Sequence, residues 1–146
     1  MALSVNLGEF DVIEIHSAFV SQVEQIGFAD LADAADELAG QEIPSGSARL
    51  IVRERSGSGL AGAVCYSGTL RTGSFLIPTV KVEVVVSPWS AGKSEIGIRP
   101  LANLGNTESF RANRFYNAAR AVLPALVDEM RAQLPEDTSA GLVLAA

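Results

Sequence analysis

Val80, Val82, Val84 and Val86 alternate with Lys81, Glu83 and Ser87. A period of two sends the valines to one face and the polar residues to the other, which predicts a half-buried strand over 79–87. Such a strand needs partners for its backbone amides and carbonyls, and neighbouring segments repeat the pattern. Leu50 and Val52 alternate with Arg49, Ile51 and Arg53. Val64, Tyr66 and Leu70 share a face, opposite Ala61, Ala63, Cys65, Ser67 and Thr69. Ile96 and Ile98 alternate with Glu95 and Arg99. Ser56-Gly57-Ser58-Gly59 reads as a turn, and 88–93 as a hairpin loop. The segment 48–99 is thus expected to form antiparallel strands with one wet face. Pairing residues whose numbers sum to 182 sets Val84 opposite Ile98, Val86 opposite Ile96 and Glu83 opposite Arg99. The neighbouring register would set Lys81 against Arg99, and like charges across strands are unfavourable.

On either side the period lengthens. Asp11 and Glu14 have capping-box spacing, and Val12, Ile15, Phe19, Val23 and Ile26 follow at steps of three and four, with Gly27 as a stop. This predicts a first helix, although Ile13 and Ile15 alternating with Glu14 and His16 also allow a strand over 10–17. A short strand is expected over 4–10. A second helix over 30–39 turns Leu31, Ala34, Ala35 and Leu38 inward and Asp33, Asp36 and Glu37 outward. A long last helix starts at Asn106 or Thr107 and carries Phe115, Ala119, Val122, Leu126, Met130 and Leu134 on one stripe. Pro124 should kink it and Pro135 end it. The expected fold is α+β: an antiparallel sheet of four to six strands, two N-terminal helices, and a long C-terminal helix packed across the sheet. The 146 residues fit a single domain over 1–136, with 137–146 as a flexible tail.

Charge divides the chain at the same point as the period. Residues 1–48 hold nine acidic side chains and no basic one, a net −9. Residues 49–146 hold eleven basic and eight acidic ones, a net +3. The total of −6 opposes nucleic-acid binding, which needs cations to displace counterions. Asp33, Asp36 and Glu37 are candidates for a partner-binding face. The arginines at 49, 53, 55, 71 and 99 mostly occupy outward strand positions and could meet such a face on a second copy. Trp89, near the hairpin tip, could cap the core or touch a partner.

Chemistry-bearing residues are few. One cysteine excludes an internal disulfide, and one histidine with one cysteine disfavours a protein-only metal site. With no leader-like N-terminus and no apolar run long enough to span a membrane, a cytoplasmic protein is expected. Gly92-Lys93-Ser94 ends like a P-loop, but Ser87 stands where that motif needs glycine, and a strand follows where it needs a helix. Cys65, among small residues, reads as an inert buried thiol. His16 with a carboxylate could act as a general base, a third-ranked reading in which the chain is an enzyme. No catalytic residue, metal or cofactor is assigned.

The order of elements resembles the helix-grip fold of the START-like superfamily, which includes polyketide cyclases and lipid-binding proteins. The stretch most like it runs through 80–86 and 96–99 into 110–134. The resemblance implies a long helix lying across a curved sheet and enclosing an apolar cavity; it carries over no catalytic residue. The expected function is non-catalytic binding of a small apolar molecule. Its lining would come from Val64, Tyr66, Val82, Val84, Ile96 and Ile98, facing Phe115, Ala119, Val122 and Leu126, with the Tyr66 hydroxyl as the polar exception. The alternative is a protein-interaction or self-associating module that uses the acidic helices and the basic sheet face.

Overall fold

The computed structural model describes residues 19–58, 62–75, 77–101, 104 and 110–134, with the backbone alone at 57 and 58. The short strand over 4–10, the capping box at Asp11, the rival strand over 10–17 and His16 lie outside the described residues. So do the helix start at Asn106 or Thr107, Pro135 and the tail over 137–146.

Six strands form one antiparallel sheet: β1 (Val20–Glu24), β2 (Glu42–Ser45), β3 (Ala48–Ser58), β4 (Val64–Arg71), β5 (Thr79–Ser90) and β6 (Lys93–Pro100). Their order across the sheet is β1-β6-β5-β4-β3-β2. The five strands from β2 to β6 pair as a meander, and the first strand of the six closes onto the last. Helix α1 (Phe28–Glu37) links β1 to β2, and α2 (Phe110–Ala132) follows β6. Both helices pack on the same face of the sheet, with α2 reaching from β1 and β6 at one side to β2 and β3 at the other.

The alternation along β5 behaves as its residues dictate. Val80, Val82, Val84 and Val86 are buried under the helices together with Leu50, Val52, Ile96 and Ile98. β5 and β6 pair in the 182 register: Val84 meets Ile98, Val86 meets Ile96, and Glu83 meets Arg99. Arg99 Nε donates to Glu83 Oε1 at 2.8 Å. The hairpin turns on Ala91 and Gly92, whose φ of 75° suits glycine. Ser94 therefore lies in a strand, and its buried hydroxyl donates to the Ile26 carbonyl at 2.8 Å.

Three expectations are corrected. The chain over 20–24 is a strand, so among the described residues only one of the two expected N-terminal helices is present, and it lies between β1 and β2. A helix would bury Phe19 and Val23 with Ile26. Instead Phe19 and Val23 stand partly exposed on the outer face, while Val20 packs on the core. The ladder with β6, from Val20–Ile98 to Glu24–Ser94, satisfies backbone groups that β6 would otherwise leave at an open edge. Phe19 also covers Gly97, where an added Cβ would lie 2.1 Å from the ring. Second, Ser56-Gly57-Ser58 is no turn: β3 continues to Ser58 because β4 supplies partners as far as Val64. Third, Arg55 is not on the outer face. Register shifts on both sides of it set it opposite inward-facing Tyr66, since a bulge inserts a residue and reverses the alternation.

The second helix follows its sequence pattern, with Leu31, Ala34, Ala35 and Leu38 buried and Asp33, Asp36 and Glu37 exposed. In α2 the stripe Phe115, Ala119, Val122, Leu126 and Met130 is buried. The helix runs through the exposed Pro124 without ending. Ser45 of β2 donates to the Ala121 carbonyl of this helix at 2.8 Å.

Gly68 marks a close approach between backbones in the sheet. It lies between Val52 and Val82, and a Cβ there would approach the Ile51 carbonyl oxygen to 2.9 Å. Backbone cannot swing aside as a side chain can. Gly68→Ala is expected to destabilise the fold by about 1–3 kcal/mol, read as a lower urea midpoint. An unchanged midpoint would show that β3 and β4 part there at no cost.

Candidate functional site

Tyr66 was the polar exception among the expected lining residues, and the structure gives its hydroxyl a partner. The side chain is fully buried, and its hydroxyl donates to the Ala32 carbonyl of α1 at 2.9 Å. Arg55 Nη2 lies 3.4 Å from the same oxygen, and its guanidinium sits 5.6 Å from the ring centre. Asp36 in turn accepts from Arg55 at 2.7 Å. The chain from Asp36 through Arg55 and Tyr66 to Ala32 ties α1 to the sheet. Burial, followed by the nearby Asp36, pushes the Tyr66 phenol up to about 12, against Arg55, which pulls it down. At neutral pH it is a hydrogen-bond donor held in place by the fold.

The other nine expected lining residues are also brought together. Val64, Val82, Val84, Ile96, Ile98, Phe115, Ala119, Val122 and Leu126 are buried with Tyr66 in one apolar cluster. Three clefts described on the molecule are lined by none of the ten. One, of about 290 Å³, lies where the sheet meets the start of α2, among Ile77, Val80, Lys81, Leu101, Leu104 and Arg111. Ile77, Val80 and Leu104 belong to the same buried cluster as the ten, so the floor of this cleft is continuous with the core. Leu101, just after β6, and Phe110, the first residue of α2, leave 56% and 50% of their surface open to solvent. No motif marks this opening, and the only signal in the sequence was the pair of large apolar residues flanking the last helix.

The acidic candidates divide. Asp36 is engaged by Arg55, and this contact between helix and sheet spends part of the charge contrast within the fold. Glu24 of β1 pairs likewise with Arg131 of α2. Asp33 and Glu37 remain exposed on α1. Trp89 is 58% exposed near the end of β5 and does not cap the core. Cys65 is buried on the outer face opposite Val85, where burial and then Glu83 raise its thiol pKa, so little reactive thiolate forms. Among the described residues no three metal-ligating side chains converge, and no helix is long and apolar enough to cross a membrane. Compared with protein-family models, curated proteins and solved structures, the chain matches none.

Proposed function

We propose that this domain is a non-catalytic binding module that takes a small apolar molecule between the sheet and α2, entering at the Ile77–Leu104 cleft. The observation that carries this reading is that cleft's floor: buried Ile77, Val80 and Leu104, continuous with the core and flanked by exposed Leu101. A pocket with such walls binds by burial and shape, with few orienting polar groups. The strand order adds support, because it sets β1 beside β6 and a single long helix across the face. The resemblance to the START-like superfamily implies such a helix lying across the sheet.

Native mass spectrometry of freshly purified protein, together with titration by the neutral fluorophore 1-aminoanthracene, tests the reading. One small-molecule adduct per chain and saturable probe binding are expected. Leu101→Glu should weaken the probe by about tenfold, since a charge at an apolar mouth costs about 1–3 kcal/mol. The variant's stability should stay within about 0.5 kcal/mol of the parent because Leu101 is exposed. Bare chain masses together with no saturable probe binding would rule the reading out.

A further inference from the structure

The register between β3 and β4 sets Arg49 directly opposite Arg71 on the outer face. Like charges placed this way repel. Arg71 pairs in turn with Thr79, and Lys81 lies two residues farther along β5, diagonal to Arg71. Among the described residues, ion pairs join Arg55 to Asp36, Arg99 to Glu83 and Arg131 to Glu24, and none neutralises Arg49, Arg71 or Lys81. An uncompensated group of three cations stands out in a chain of net charge −6.

These arginines border a cleft of about 430 Å³, within the usual range for small-molecule sites. Ser47, Ser74 and Thr79 add hydroxyls, Phe75 adds a ring that is 90% exposed, and no carboxylate lines it. Hydrogen bonds hold part of the rim. Arg49 Nη1 donates to the Gly46 and Ala48 carbonyls at 2.7 and 2.9 Å, which holds the guanidinium at the rim. The loop carrying Phe75 is braced by Thr72 N to the Pro78 carbonyl at 3.1 Å and by Ser74 N to Thr72 Oγ1 at 3.0 Å. Gly73, at φ +80°, presses this loop against Ser47; a Cβ there would lie 2.6 Å from the Ser47 hydroxyl oxygen.

We propose that this cleft binds the phosphate monoester of a small molecule, with Arg49 and Arg71 gripping the phosphate and the flat or apolar body of the ligand lying against Phe75. A guanidinium fork matches phosphate oxygens two at a time. A phosphate monoester carries nearly two negative charges at pH 7, matching the paired arginines better than a single carboxylate does. The site adjoins the apolar cleft at Thr79, but Arg49, Arg71 and Phe75 do not line that cleft, and the proposal does not depend on its reading.

The test follows the arginine side-chain NMR signals during titration with inorganic phosphate, phenyl phosphate and benzoate. Saturable shifts at Arg49 and Arg71 are expected. Phenyl phosphate should bind severalfold tighter than inorganic phosphate through contact with Phe75, and Phe75→Ala should remove that advantage. Arg71→Glu should weaken phenyl phosphate by about tenfold or more. The same substitution replaces a repulsive cross-strand pair by an attractive one, so the melting temperature should rise by about 1–3 °C. Lost binding then could not be attributed to lost fold. The proposal is overturned if neither phosphate shifts those signals at concentrations up to roughly 10 mM. Benzoate binding as tightly as phenyl phosphate, a lower melting temperature for Arg71→Glu, or self-association that this variant abolishes would overturn it equally.

Discussion

Phe115→Ala is expected to lower the free energy of unfolding by about 3–5 kcal/mol, a large share of the roughly 5–15 kcal/mol that holds a typical domain together. Phe115 has no exposed surface and lies on the inward stripe of α2 between Ala112 and Ala119. Those two small neighbours cannot expand to fill the volume that the ring leaves. Urea unfolding would show the loss as a lower midpoint with little change in slope. The measurement also bears on function. A cost below about 1 kcal/mol would mean that the ring already borders space another occupant fills, because the penalty depends on the cavity created.

Tyr66→Ala is expected to cost as much, about 3–5 kcal/mol, and Tyr66→Phe separates the two parts of that cost. The phenylalanine variant keeps the buried ring but leaves the Ala32 carbonyl without its donor, at about 1–3 kcal/mol. The phenol also makes stability depend on alkaline pH. In an unfolded chain it titrates near 10 and in the fold at about 12. Below pH 10 both states keep the proton, and the contribution is fully present. Between 10 and 12 the unfolded chain releases the proton while the folded one retains it, so stability falls as pH rises, by up to roughly 1 kcal/mol per unit. Urea midpoints at about pH 9 and about pH 11 should therefore diverge more for the parent than for Tyr66→Phe. Equal divergence in the two proteins would contradict the buried, donating hydroxyl.

How much of this was legible before the fold was known depended on whether the pattern was unambiguous. In β5 and β6, alternation identified the buried face, and the charges of Glu83 and Arg99 chose the register, because only one pairing sets them opposite each other. In β1 the signal was degenerate. Phe19 and Val23 are four residues apart, a spacing that shares a face in a helix and equally in a strand. Only pairing with β6 decided between them. The glycine and serine run at 56–58 looked like a turn because those residues favour turns, yet a paired neighbour overrode the propensity.

The candidate sites divide in the same way. The ten apolar residues at the centre of the molecule were readable because inward position follows from period and composition. The apolar cleft was not, because it depends on how 77–81 meets the chain entering α2, and no local pattern encodes that meeting. Nor was the role of Arg55, which a bulge turned from the wet face to Tyr66 and Asp36.

The sequence alone determined an α+β chain with a valine-rich antiparallel sheet, a long apolar-striped last helix and nine acidic residues ahead of the first basic one, Arg49. These follow from side-chain periodicity and charge, which are local. The tertiary structure decided that β1 closes the sheet against β6, that Asp36 spends its charge on Arg55, and that Arg49 faces Arg71. Each of those depends on register between segments distant in sequence, where backbone pairing across the whole sheet outweighs the preference of any one stretch.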